Sequence, residues 1–209
     1  MMMDINPYRQ YAEEYDRWYD EHKAVYLSEL SCIKEIIPSS GRGLEVGVGT
    51  GRFASSLGIR WGLDPSGDML ERAHGRGVRV VRGESEGLPF TEETFDFVLF
   101  VTAICFLSDP ARSLEEAARV VRPGGSLIIG MVDRDSSLGR QYQAKKEKSR
   151  FYRQATFYSV PEILRLLPPA GWRETAIRQT LLEKSDPEQA AREGYGEGGF
   201  VVISARKIW

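Results

Sequence analysis

The chain has 209 residues, 42% of them hydrophobic and 28% charged, with a formal net charge of -2 and an isoelectric point near 5.9. That size and balance suit a single globular domain with a substantial core, and they argue against a sequence-independent nucleic-acid binder, which would carry a basic stripe. No apolar run nears the ~20 residues needed to span a bilayer, and Met1 to Pro7 carries an Asp with no apolar run after it, so neither a membrane span nor a signal peptide is expected.

Residues 8–37 read as helical. Tyr8, Tyr11, Tyr15, Trp18 and His22 recur at three- and four-residue steps and share one face. This stripe either packs on the body of the domain or supplies rings to a lid over a ligand. A second helical stretch, Leu27 to Ile37, stops at Pro38-Ser39-Ser40-Gly41. From there strands and helices alternate. Leu44 to Val46 is the first strand and Arg52 to Leu57 the first crossover helix. Arg60 to Asp64 is the second strand, and Ser66 can cap a helix running to His74. Val78 to Val81 is the third strand. Phe95 to Val101 is the fourth, with an apolar run suited to burial on both faces. Asp109-Pro110 opens the next helix, Pro123-Gly124-Gly125 ends it, and Ser126 to Val132 is the fifth strand.

After Val132 the pattern is looser. Asp133 to Arg153 is polar, and its run of Lys145, Lys146, Lys148 and Arg150 reads first as a solvated face and second as a binding patch. Ser159-Val160-Pro161-Glu162 matches a capping box and starts a short helix ending near Pro168-Pro169. Trp172 to Leu182 and Phe200 to Ala205 are two late strands, with a turn at Gly194 to Gly199. The whole predicts an α/β fold: a doubly wound, mostly parallel sheet of seven strands with an antiparallel closing strand and an N-terminal helical lid. It divides into the lid (1–40), a core (41–132) and substrate-side helices with closing strands (133–209). Ligands of such sheets bind beyond the carboxyl ends of the strands, where strand order reverses.

The first strand ends in Gly47, Gly49 and Gly51, a turn that lets backbone approach a ligand closely. A dinucleotide fingerprint would need glycine where Arg52 stands, so an NAD-type reading is disfavoured. Glu45, two residues before the turn, suits a ligand carrying positive charge better than a pyrophosphate; its structural alternative is a cap on the loop amides. Asp64 closes the second strand, where a carboxylate can accept both hydroxyls of a ribose. Met69, one turn on, either covers a ring face or faces the core. Glu84 and its neighbours follow the third strand, where an acid and a backbone N–H can read adenine.

Leu44-Glu45-Val46-Gly47-Val48-Gly49-Thr50-Gly51 resembles motif I of the class I S-adenosylmethionine-dependent methyltransferases. Gly62 to Ser66, Gly83 to Phe90, Phe95 to Val98 and Arg122 to Gly125 resemble the motifs that follow it. Their order and spacing are similar to those of the methyltransferase type 11 group, which includes ubiquinone/menaquinone methyltransferase-like enzymes. The resemblance covers about residues 41–132 and implies a Rossmann-like fold, an enzyme, and S-adenosyl-L-methionine as cofactor. It implies that Glu45 and the turn at Gly47, Val48, Gly49 and Gly51 hold the methionine portion. Asp64 would take the ribose, with Pro65 and Met69 beside it. Glu84 and Ser85 would take the adenine, with backbone contacts from Phe100 or Val101. By the same resemblance Tyr11 and Tyr15 close over the cofactor. Glu84 departs from the family's usual Asp.

Methyl transfer from a sulfonium is a direct displacement, so no catalytic triad is required and a general base helps only a protonated nucleophile. No catalytic residue is assigned. Trp18, His22, Thr102 and Cys105 are the candidates for contact with the acceptor. Cys105 lacks the preceding proline of cytosine-5 methyltransferases, and the Asn/Asp-Pro-Pro-Tyr/Phe motif of DNA amino-methylating enzymes is absent. A small-molecule acceptor is therefore expected, with no nucleic acid and no metal. A cofactor-binding protein without turnover and a macromolecular methyltransferase are the alternatives. Cys32 and Cys105 have no metal-type spacing and fit a reduced, cytoplasmic setting.

Overall fold

The computed structural model describes residues 11–182 and 188–208; Tyr8 and the first residues of the N-terminal helical stretch lie outside them. Helix α1 (Ala12–Glu21) and helix α2 (Lys23–Lys34) meet at His22, whose backbone is non-helical. The break falls five residues before the expected one, because the His22 backbone N–H donates to the Trp18 carbonyl and its ring Nδ1 lies 2.9 Å from the same oxygen.

Strands β1 (Gly43–Val46), β2 (Trp61–Asp64), β3 (Arg79–Arg82) and β4 (Phe95–Val101) alternate with α3 (Arg52–Leu57) and α4 (Gly67–Gly75). Helix α5 (Pro110–Val120) leads into β5 (Val121–Val132), then α6 (Ser137–Lys145) and α7 (Val160–Leu166). The chain closes with β6 (Trp172–Thr180), β7 (Arg192–Glu193) and β8 (Phe200–Lys207). The predicted caps form: Ser66 accepts from Met69 N–H, Asp109 from Arg112 N–H, and the Ser159–Glu162 capping box is complete. β5 begins before Ser126, since Val121 already pairs with Phe95. The register then jumps to Phe97 opposite Ser126, which lets Pro123-Gly124-Gly125 bulge outward.

The described residues form one sheet of order β3-β2-β1-β4-β5-β8-β6-β7. The first five strands pair in parallel, and β8 runs antiparallel to β5 and β6. The sheet has eight strands where seven are expected from the sequence. The extra one, β7, is two exposed polar residues with no apolar alternation to announce it. It is held by Gln179 of β6, whose side-chain carbonyl accepts from Glu197 and Gly198 N–H and whose amide donates to the Glu193 carbonyl.

One face of the sheet packs under α5 and α7 through Leu114, Ala117, Val120 and Ile163. The other packs under α2, α3 and α4 through Ile33, Ala54, Leu70 and Ala73. Val98, Leu99 and Phe100 of β4 are buried completely between the layers. The sheet's parallel edge, β3, exposes Arg79 and Arg82. Gly51 caps α3 at φ 79, and a Cβ there would sit 2.9 Å from the Ala73 Cα. Left-handed strain and backbone overlap act together, so Gly51→Ala is expected to cost about 2 kcal/mol or more in urea unfolding.

Candidate active site

The reversal of strand order falls between β1 and β4, and a cavity of about 480 Å³ opens at the carboxyl ends of β1, β2 and β4. Its floor is the glycine turn. Gly47 and Val48 N–H both donate to the Leu63 carbonyl, at 2.8 and 3.0 Å, which ties the turn to the end of β2. Gly47 has φ 72, and a Cβ there would strike Ala103. Asp64 stands beside the turn. One of its oxygens accepts from Gly49 N–H at 3.0 Å and the other from Ser66 N–H at 2.8 Å. Burial pushes this carboxyl up to about 6; the two backbone donors oppose the shift and the Glu84 charge adds to it.

Glu84, Ser85 and Glu86 line the far side. Burial and the neighbouring Glu86 charge raise Glu84, while Arg82 opposes. Glu86 is anchored by Ser108 and Asp109 N–H, and the Ser85 hydroxyl lies 2.8 Å from that of Ser113. Leu63, Met69, Val101, Ala103 and Phe106 give the walls an apolar surface. Three acids and no Lys or Arg line the cavity among the described residues. That donor set repels a pyrophosphate and fits an adenosyl ligand bearing a sulfonium and an ammonium.

Of the residues singled out from sequence, Gly47, Gly49, Asp64, Pro65, Met69, Glu84, Ser85, Val101, Tyr15 and Thr102 meet at this cavity. The others lie apart from its lining. Val48 packs beneath the turn against Gly62, and Gly51 against Ala73. Phe100 is wholly buried in the sheet. Tyr11 lies under the Arg150 guanidinium, 3.9 Å from its ring centroid. Trp18 and His22 stack on each other at 4.4 Å, and Cys105 faces a separate void of about 10 Å³. Leu107 and Ser108 line the cavity without having been singled out, while Ala103 and Phe106 fall in the segment after the fourth strand, Thr102 to Phe106, which is expected to border the acceptor. Leu107 and Ser108 had no such signal.

Glu45 turns the other way. It accepts from Ala54 N–H in α3, and its Oε2 is buried with no partner. Burial, reinforced by the Asp64 charge and only partly offset by the Ala54 bond, raises this carboxyl well above the usual range. Side chains alternate along a strand, so Val46 reaches the cavity while Glu45 faces α3.

A clasp holds α1 over the turn. Asp16 accepts from Thr50 Oγ1, Arg52 Nε and Arg76, each at 2.7 Å. Arg52 also grips Asp20 through both terminal nitrogens, and Arg76 donates to the Thr50 carbonyl. Burial alone would raise Asp16, but the bonds from Arg52, Arg76 and Thr50 outweigh it and hold the carboxyl at about 2. The clasp brings Tyr15 to the cavity wall, its hydroxyl 3.0 Å from that of Tyr19.

A doubly wound sheet with an acidic, glycine-floored cavity at its switch point defines a nucleotide-cofactor enzyme. Comparison with known proteins gives its family. Residues 44–129 match the family described as "Methyltransferase domain". An uncharacterized protein of Methanocaldococcus jannaschii is 47% identical over 206 residues, 98% of this chain and 100% of that protein. A demethylmenaquinone methyltransferase of Corynebacterium kroppenstedtii is 37% identical over 83 residues, 40% of this chain and 36% of that enzyme. Among solved structures, a SAM-dependent methyltransferase of Thermotoga maritima, described as a possible histamine N-methyltransferase, is 48% identical. It superposes with a TM-score of 0.94 over 97% of this chain and 99% of that one. The chain belongs to the class I S-adenosylmethionine-dependent methyltransferases, in the type 11 group; it is an enzyme whose cofactor is S-adenosyl-L-methionine.

Proposed function

We propose that this enzyme methylates a small molecule, held between the cofactor and the aromatic wall that Tyr15 and Phe106 present to the cavity. The observation that carries this reading is the clasped helix α1, which sets Tyr15 against a cavity of about 480 Å³. The basic run after β5 adds little to a macromolecular reading, because Arg150 is engaged by Glu14 at 2.6 Å and by the Tyr11 ring.

When bound, S-adenosyl-L-methionine supplies a methyl group already activated on sulfur. Asp64 accepts from the ribose hydroxyls through lone pairs that Gly49 and Ser66 leave free. Glu84 and Ser85 take the adenine edge, Leu63 and Met69 its faces, and the open backbone at Gly47 and Gly49 the methionine portion. Glu45 acts from behind the turn by fixing the start of α3. Tyr15, Thr102 and Phe106 align the acceptor and keep water out, which is most of what a displacement at an activated methyl requires. The two free thiols fit a reducing compartment such as the cytoplasm.

Calorimetry with S-adenosylhomocysteine is expected to show one site per chain, and turnover of methyl-labelled cofactor against a metabolite panel to give a labelled small molecule. A wild-type protein that ignores S-adenosylhomocysteine refutes the site assignment. Label that enters only protein or RNA refutes the small-molecule acceptor.

A further inference from the structure

The chain from Glu84 to Phe90 is fastened to α5 at two separate places. Toward its end, Leu88 N–H donates to Glu116 at 2.8 Å, and Arg119 donates to the Leu88 and Phe90 carbonyls, each at 2.8 Å. At its head the hold centres on Glu86. Its Oε1 accepts from two successive backbone N–H groups, Ser108 at 3.0 Å and Asp109 at 3.1 Å, and its Oε2 accepts from the Ser85 hydroxyl at 2.9 Å. Asp109 caps α5, so the carboxylate also lies at the positive end of that helix. Hydrogen bonds to an ionised acceptor are about twice as strong as those between neutral groups, and here they converge on one side chain.

The two segments that Glu86 joins both line the cofactor cavity. Glu84, Ser85 and Glu86 reach it from the end of β3, and Leu107 and Ser108 from the approach to α5. The Glu86 carboxylate is largely spent inside the protein, since the two N–H groups take both lone pairs of Oε1 and Ser85 takes one of Oε2. The Ser85 hydroxyl is committed as well: it is buried, it donates to Glu86, and it lies 2.8 Å from the Ser113 hydroxyl. Glu84 is the exposed acid of the group and stays open to a ligand. Ser85–Gly87 is a single 3-10 turn, too short to fix its own place, and the Glu86 arm fixes it against α5.

We propose that Glu86 is a positioning residue for the adenine of the cofactor: by tying Ser85 to the N–H groups of Ser108 and Asp109, it sets the spacing of these two segments and holds Glu84 where the exocyclic amine arrives. This rests on the cofactor placement given above and adds to it a residue that acts through its neighbours. The bonds of Glu116 and Arg119 to Leu88 and Phe90 do not involve Glu86. Its removal therefore frees the head of the segment, residues 84–86, and leaves the rest seated on α5. The loss falls on the reading of the base and not on the fold. A site whose acceptor is displaced no longer tells an amine from a carbonyl at that ring position.

The test uses the full chain and calorimetry with S-adenosylhomocysteine and S-inosylhomocysteine, whose base carries a carbonyl in place of the exocyclic amine. Wild type is expected to prefer the adenine ligand by about tenfold or more. Glu86→Ala should lose about tenfold in affinity for S-adenosylhomocysteine and under about threefold for the inosyl ligand, so that most of the preference disappears. Glu86→Gln keeps an acceptor oxygen for Ser108 and Asp109 and should stay within about threefold of wild type on both ligands. Where circular dichroism shows Glu86→Ala unfolded, Glu86→Asp takes its place; the same charge on an arm one methylene shorter should lose the preference in the same way. A wild type that binds neither ligand overturns the cofactor placement, and this proposal with it. A wild type that binds S-adenosylhomocysteine, with Glu86→Ala keeping the full preference for it, overturns the proposal alone. An equal loss on both ligands, the mark of a brace for the fold, does the same, and so does a wild type indifferent to the base.

Discussion

Asp64→Ala is expected to weaken S-adenosylhomocysteine binding by a hundredfold or more. The Asp64 carboxylate is the charged acceptor at the end of β2, and its backbone bonds to Gly49 and Ser66 fix it against the cavity. Each hydrogen bond to a charged group contributes about 1.5–3 kcal/mol, so losing two to a ribose amounts to roughly two to four decades in affinity. The substitution also frees two backbone donors that set the shape of the turn. Asp64→Asn separates these effects, since it keeps the shape and removes the charge. Burial, with the Glu84 charge adding and the Ser66 and Gly49 bonds opposing, pushes the carboxyl up to about 6. The accepting anion is therefore lost as pH falls through 6, and wild-type affinity should fall with it while that of Asp64→Asn stays flat. Calorimetry from pH 5 to 8 reads both; a wild-type affinity that is constant over this range sinks the assignment.

The second large effect belongs to Asp16. Asp16→Ala leaves Arg52 and Arg76 facing each other across an emptied, largely buried site, with Thr50 without its acceptor. Removing one partner of a buried ion pair costs about 3–5 kcal/mol, and the partial exposure of both arginines places this variant near the lower figure. Urea unfolding should show that loss, and amide exchange should show α1 opening well before the sheet. Asp20→Ala, which breaks the more exposed pair to Arg52, should cost far less than Asp16→Ala. The Asp16 carboxyl is held at about 2, below its unfolded value, so the clasp's stabilisation is complete above about pH 4 and is lost as pH falls through 2. If α1 exchanges no faster in Asp16→Ala than in wild type, the clasp does not hold α1 in place.

What was legible in the sequence is what local chemistry announces. The glycine turn, the apolar run of β4, the caps at Ser66 and Asp109 and the capping box at Ser159 depend on neighbours within a few residues, and each takes its expected place. The corrections come from contacts that no local pattern encodes. β7 exists because Gln179 gathers a loop from across the sheet. The clasp joins α1 to α3 and to the end of α4, and Arg52, readable only as a missing glycine, becomes its centre. Glu45, which the sequence offers either as a ligand contact or as a cap on backbone amides, accepts from Ala54 N–H in α3 with one oxygen. Nothing in the helical periodicity of residues 23–34 marks Glu29 as one of the buried positions of α2.

The ends of the sheet bear on how this enzyme meets other chains. One end is β3, bracketed by the exposed Arg79 and Arg82; the other is β7, two residues long and exposed at both. A growing cross-β ribbon needs a long, uncharged, open ladder, and at the β3 border it meets guanidinium groups instead. The β3 border is thereby a poor seat for polymerisation through the sheet at high concentration.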